Sequence, residues 1–210
     1  MRFSGDFEVH VTGRAGDAGR LEEVARLLGV KFTHIELARG RVVSQPMVTW
    51  RGAGELEGVR ERAGKVVREL ERRGVGVVRV KVEASPWAAG VPVTDAEAVA
   101  LGAAYYFEHH VKLLLPPGTD PGPLTRLAVA HGAHLSRNPR RVRADGHAER
   151  FVTQRCHRMG RTAAGARLEA LTGALVSEGY DIVSSEREFV VHDSDASLDA
   201  GWIGEEGARA

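Results

Sequence analysis

The strongest constraint on this chain is that part of it occurs twice. Phe7-Glu8-Val9-His10-Val11 returns as Phe107-Glu108-His109-His110-Val111, one hundred positions later. The echo extends to a second histidine, because His34 follows His10 by 24 residues and His134 follows His110 by the same interval. A period near 100 residues is too long for a solenoid repeat and suits a duplicated small domain. With 210 residues, 43% of them hydrophobic, the chain can bury one sizeable core or two small ones. The duplication favours two fused modules.

Within the first copy, Phe7, Val9 and Val11 alternate with Glu8, His10 and Thr12, the period-two pattern of a half-buried strand. Gly13 to Gly16 makes a turn and Asp17 is placed to cap a helix. Leu21, Val24, Ala25 and Leu28 then follow at helical spacing up to Gly29. Residues 30–38 and 41–50 read as a hairpin bent at Arg39-Gly40. Leu56, Val59, Ala63, Val66, Val67 and Leu70 form the apolar stripe of a charged helix ending at Gly74, and a last strand runs over 75–83. In that strand Val78, Val80 and Val82 face one way and Arg79, Lys81 and Glu83 the other. The order β-α-β-β-α-β predicts a ferredoxin-like α+β module, a four-stranded antiparallel sheet with both helices on one face.

The expected organisation is a first ferredoxin-like module over 1–84, a linker with a short helix over 85–104, a second module over 105–193 and a polar C-terminal tail over 194–210. Thr94-Asp95 caps the linker helix, which runs to Leu101. The second module repeats the plan, with a longer arginine-rich hairpin and with Glu188 in the place of Glu83. The tail, apolar only at Leu198, Trp202 and Ile203, is expected to dock loosely and to end disordered.

Composition removes several classes of function. Lys and Arg number 29 against 28 acidic residues, a net charge of +1, so no global field draws the chain to nucleic acid or to a membrane. It has no run of about 18 apolar residues and no signal-peptide core near Met1, and a cytoplasmic protein is expected. The single cysteine, Cys156, excludes an internal disulfide and a multi-cysteine zinc site within one chain.

The candidate chemistry lies on the faces turned away from the helices. Glu8 with His10, and Glu108 with His110, share those faces, which either pack on each other or join edge to edge. His10 and His110 are the expected acid–base partners, with Glu8 and Glu108 orienting them. Lys112 and the arginines Arg137, Arg140, Arg141, Arg143 and Arg155 form a candidate anion clamp. Parity on the third strand of module two turns Arg155 to the same face as Thr153 and Phe151. Imidazole and carboxylate together also suit a divalent metal, with His10, His34, His110, His134, Glu8 and Glu108 as the alternative ligand set.

His10-Val11-Thr12 resembles the His-x-Thr tripeptide of the two-histidine phosphoesterases, in which one imidazole from each lobe acts as base or acid across a phosphate. The second copy departs from that pattern, carrying Lys112 where the family has threonine or serine. The expected function is accordingly an enzyme, a hydrolase of the phosphoester class, acting on a small anionic substrate between two modules. A metal-dependent enzyme using the same residues and a non-catalytic anion-binding protein are the alternatives. The substrate, the oligomeric state and whether the sheets meet by face or by edge stay open.

Overall fold

A computed structural model describes residues 2–141 and 143–202. The first half contains β1 (Ser4–Gly13), α1 (Ala18–Leu28), β2 (Lys31–Leu37), β3 (Ser44–Glu55), α2 (Leu56–Arg72) and β4 (Val77–Ala84). After α3 (Asp95–Leu101), the second half repeats the order as β5 (Tyr106–Leu115), α4 (Gly122–Ala130), β6 (Ala133–Arg137), β7 (Ala148–His157), α5 (Arg161–Ser177) and β8 (Asp181–Asp193). The architecture is the α+β, ferredoxin-like, antiparallel one that the hydrophobic pattern predicts. None of the described helices is long and apolar enough to cross a membrane.

Local chemistry sets the ends of these elements. Gly29 closes α1 at φ 64, a left-handed conformation that costs a side chain energy, and its N–H reaches back to the carbonyls of Ala25 and Arg26. Thr94 and Glu97 form a reciprocal capping box at α3, as expected for Thr94. Asp17 does something different from the capping expected of it. Its carboxylate accepts from the N–H of Gly76 at 2.8 Å and ties the start of α1 to the approach to β4.

The sheets settle the question of faces or edges by doing both. The strand order is β1-β3-β2-β6-β7-β5-β8-β4, closed on itself. One seam joins β2 to β6 through Glu36↔Arg137 and Leu37↔Ser136. The other joins β4 to β8 from Lys81↔Asp193 to Ala84↔Phe189. Joining at both edges curls the two four-stranded sheets into one eight-stranded barrel, so the two free faces become its interior. The seams have a pseudo-twofold axis through them, across the barrel, and β1 and β5 therefore run in opposite senses.

The apolar faces lie outside the barrel, under the helices. Val9, Val11, Leu21, Val59, Ala63 and Leu70 pack on the first half, and Val111, Leu113, Leu124, Leu168, Leu171 and Leu175 on the second. Each fully buried aliphatic side chain contributes roughly 1.5–3 kcal/mol. Phe107 and Phe189 of the second half join Phe3 and Phe7 in the first cluster, so the two cores interlock across the β4–β8 seam.

Candidate functional site

β1 and β5 are central in their halves, each flanked on both sides. Their alternation turns Glu8, His10 and Thr12, and Glu108, His110 and Lys112, into the barrel. They line a cavity of about 310 Å³ to which all eight strands contribute. Ile35, Leu37, Met47 and Phe151 form an apolar wall on the side of β2, β3 and β7, while Phe32, of opposite parity on β2, packs against the outer core. The wall of β4 and β8, opposite the β2–β6 seam, carries Arg79, Lys81, Ser184, Glu186 and Glu188.

The two histidines are held alike. His10 Nδ1 lies 2.9 Å from Thr49 Oγ1, and its Nε2 lies 2.7 Å from Glu83 Oε2 and 3.9 Å from Glu8 Oε1. His110 Nδ1 lies 2.9 Å from Thr153 Oγ1, and its Nε2 lies 3.2 Å from Glu108 Oε1 and 3.4 Å from Glu188 Oε2. Strand register produces the match. Glu8 pairs with Arg51 on one side and Glu83 on the other, as Glu108 does with Arg155 and Glu188. The symmetry breaks on β4 and β8. Lys81 stands opposite His10 where Glu186 stands opposite His110, and Arg79 stands opposite Thr12 where Ser184 stands opposite Lys112.

A continuous ionic chain crosses the middle of the barrel. Lys81 Nζ lies 2.7 Å from Glu83 Oε1 and 2.6 Å from Glu108 Oε1, and Arg155 donates to the other oxygen of Glu108. Burial works against every one of these charges, and the partners outweigh it. Lys81 is held well above the ordinary lysine range by Glu108 and Glu83, and Glu108 well below the carboxylate range by Arg155 and Lys81. Burial also opposes charge on His110, but its hydrogen bonds to Glu108 and Glu188 hold the imidazolium up to about 10. Glu188 goes the other way, raised by burial and by the nearby charge of Glu83.

One mouth of the barrel is closed by the chain's own C-terminal segment. Beyond β8, Ser194 bonds to Val80 through its N–H at 3.0 Å and its Oγ at 2.8 Å. Asp199, in the short 3₁₀ turn Ala196–Asp199, accepts from Arg79 at 2.9 Å, Arg155 at 2.5 Å and Gln45 at 2.9 Å. Trp202 donates its indole N–H to the carbonyl of Leu135 at 2.8 Å. The expectation of a loosely docked tail is corrected here: Leu198, Asp199 and Trp202 are all buried, because Asp199 is the counter-charge of two buried guanidinium groups. Ile203 and the expected disordered end lie outside the described residues. At the opposite mouth Lys31, Arg141, Ser184 and Glu186 are exposed.

The arginine clamp does not form. Arg137, Arg140 and Arg143 lie outside the cavity on Glu36, Glu22 and Asp145, at 2.7, 2.6 and 3.2 Å. Arg141 reaches the rim but stands 3.7 Å from Glu149, which also holds Lys112 at 2.8 Å. Arg155 alone of the five arginines is central, and it is matched by Glu108 and Asp199. The physical reason is tertiary as well as local: Glu36 and Glu22 of the first half fold onto Arg137 and Arg140, and Asp145 and Glu149 of the hairpin itself face Arg143 and Arg141.

The alternative metal set is also redistributed. Glu83, Glu108 and His110 bring ligand atoms within 4.8 Å of one another, but Lys81 lies against both carboxylates and supplies the positive charge there. A divalent ion at these three residues would have to expel that ammonium. His34 is bonded to Ser44 at 2.8 Å and does not line the cavity. His134 is buried beside the Trp202 ring, its pKa brought down to about 4 by burial and by Arg39 and Arg155. The echo of 24 residues is not a structural equivalence, since His34 pairs with Pro46 while His134 pairs with Thr153, the partner position of Lys31 in the first half. Cys156 is buried, with its thiol pushed up to about 11 by burial, and is inert.

Thr49, Thr153, Lys81, Glu83, Glu188 and Asp199 belong to the site without having been singled out by the Glu-x-His repeat. The alternation of Arg79, Lys81 and Glu83, and of Ser184, Glu186 and Glu188, is the signal for Lys81, Glu83 and Glu188: a charged inner face on a strand beside Glu-x-His.

No family model matches the chain, and no curated protein matches it. Among solved structures it is similar to the ligand-free regulatory subunit of aspartate kinase from Thermus thermophilus, at 14% identity over 83% of this chain and 95% of that one, with a TM-score of 0.31. It is also similar to the acetolactate synthase small subunit from Thermotoga maritima (10% identity, 90% and 95% coverage, TM-score 0.28). A third likeness is to a heme-binding protein from Thermus thermophilus (11% identity, 91% and 93% coverage, TM-score 0.30).

Proposed function

We propose that the barrel is a chamber in which a small polar molecule undergoes acid–base chemistry between the two histidine–carboxylate centres. The observation that carries this is the duplicated constellation itself. Two imidazoles, each fixed by a threonine hydroxyl and a carboxylate, present an edge to the same cavity. His110 enters as the imidazolium and is the proton donor. Glu8 and Glu188, partly exposed to the cavity, are the carboxylates that can take a proton from a bound molecule. Thr49 and Thr153 fix the orientation of the rings through Nδ1.

A phosphorylated substrate fits this chamber poorly. A phosphate needs cations free to hold it, and of those lining the chamber Arg79, Lys81, Lys112 and Arg155 are each matched to carboxylates of the chain, which leaves Lys31 at the rim. Support is therefore greatest for a substrate that is neutral or positively charged. The test is a turnover screen of a small-molecule mixture by mass spectrometry, comparing wild type with His10→Gln/His110→Gln. A compound converted by wild type and spared by the double variant is expected; equal conversion by both would exclude the histidines from the chemistry.

A further inference from the structure

The two halves provide for equivalent carboxylates in different ways. In the first mouth, the carboxylates Glu108 and Glu83 share the Lys81 ammonium, at 2.6 and 2.7 Å. The pseudo-twofold places Glu8 where Glu108 is, Glu188 where Glu83 is, and Glu186 where Lys81 is. The open mouth thus has a third carboxylate at the position from which the closed mouth supplies its cation. Arg51 holds Glu8 at 2.7 Å but with its own side chain 78% exposed, and Glu188 pairs with His110.

The electrostatics follow this difference. Glu83 is held well below the carboxylate range, since Lys81 and His10 outweigh the effect of burial, whereas Glu188 is raised by burial and by Glu83. The seams add access. β4 and β8 overlap only from Ala84↔Phe189 to Lys81↔Asp193, so Ser184 and Glu186 of β8 run on past β4 and are exposed at the rim. Across the cavity from β8, Ile35 and Leu37 of β2 offer an apolar surface, with Phe151 of β7 beside them.

We propose that the open mouth binds a small organic ammonium ion, its charged head among Glu8, Glu186 and Glu188 and its apolar body against Ile35, Leu37 and Phe151. The chain demonstrates the chemistry in its other half, where an ammonium bridges the equivalent pair of carboxylates. The proposal rests on the barrel being a ligand chamber, and it names what that chamber takes. A bound ammonium beside Glu188 also weakens that carboxylate's hold on His110 and makes its proton easier to give up.

The experiment is titration calorimetry at neutral pH with three probes of one shape: benzylamine, benzyl alcohol and benzoate. Wild type is expected to bind the amine at least about tenfold more tightly than the alcohol, with benzoate weakest. Glu186→Lys rebuilds the internal ammonium of the other half and is expected to fold and to lose amine binding by about tenfold or more. Glu188→Gln, which keeps the side-chain shape, is expected to weaken the amine to a similar degree. Glu178→Lys, the same charge change at the end of α5, is expected to leave binding unaltered. Alcohol or benzoate binding as tightly as the amine would overturn the ammonium proposal and leave the chamber standing. Amine binding unaltered in both Glu186→Lys and Glu188→Gln would also overturn it. If none of the three probes binds wild type, both the ammonium site and the chamber are refuted.

Discussion

Asp199 is the residue whose removal tests the closed end of the barrel most sharply. It is 4% exposed and faces Arg79 and Arg155, themselves nearly buried. Asp199→Ala leaves both guanidinium groups short of one counter-charge and takes one of two acceptors from the Gln45 amide, which keeps the carbonyl of Val42. Removing one partner of a buried ion pair costs about 3–5 kcal/mol. Here the low end applies, because Arg79 keeps Asp193 and Arg155 keeps Glu108. A loss of about 3 kcal/mol in a chain of this size lowers Tm by about 6–12 °C. Asp199→Asn keeps the acceptor for Gln45 and should lose about half as much. The assay is thermal unfolding followed by circular dichroism, with Arg155→Met as the second arm of a double-mutant cycle, where a coupling of about 1–3 kcal/mol is expected. A melting point for Asp199→Ala within about 2 °C of wild type would refute the tail as a plug. Because Asp199 holds its charge through a lowered pKa, its contribution is present above the ordinary aspartate range and is lost as pH falls through the depressed value.

Three further outcomes follow from the same geometry. His110 has a raised pKa in the folded state, so the stability it contributes is fully present below about pH 6.5 and is lost as pH rises toward about 10; urea titrations across that window should show a decline that His110→Gln flattens. Lys81→Met leaves Glu83 and Glu108 buried against each other and should cost about 3–5 kcal/mol by urea midpoint, against less than about 0.5 kcal/mol for Lys31→Met at the exposed rim. At Gly160 a Cβ atom would lie 2.4 Å from the backbone of both Val93 and Thr94, so Gly160→Ala must displace the linker before α3 and should destabilise by about 1–3 kcal/mol in the same assay.

Much of the fold was readable in the chain because the signal is local. Phe7, Val9 and Val11 against Glu8, His10 and Thr12 state both a strand and its two faces, and Thr94 with Glu97 states a helix start. Barrel closure was not readable, since the seams rest on a few backbone pairs such as Leu37↔Ser136, which any residue types can make. His10 and His110 were legible through their repetition. The arginine cluster pointed to an anion because sequence shows cations in a row but not the carboxylates folded onto them, as Glu22 is onto Arg140 from over a hundred residues away. Asp199 was hidden for the same reason: its partners Arg79 and Arg155 are remote in the chain, and its surroundings read as a polar tail. The histidine echo at His34 and His134 misled because equal spacing along a chain does not survive a shift in strand register.

The central claim is that two histidine–carboxylate centres share one chamber, with His110 held as an imidazolium. Nitrogen-15 NMR of the imidazole rings across pH 5 to 11, with His110→Gln for assignment, measures this directly. One imidazole that stays protonated through neutrality and titrates near 10 is expected, and it should shift downward in Glu188→Gln. A His110 that titrates near the ordinary histidine value, unmoved by Glu188→Gln, would contradict the site as described.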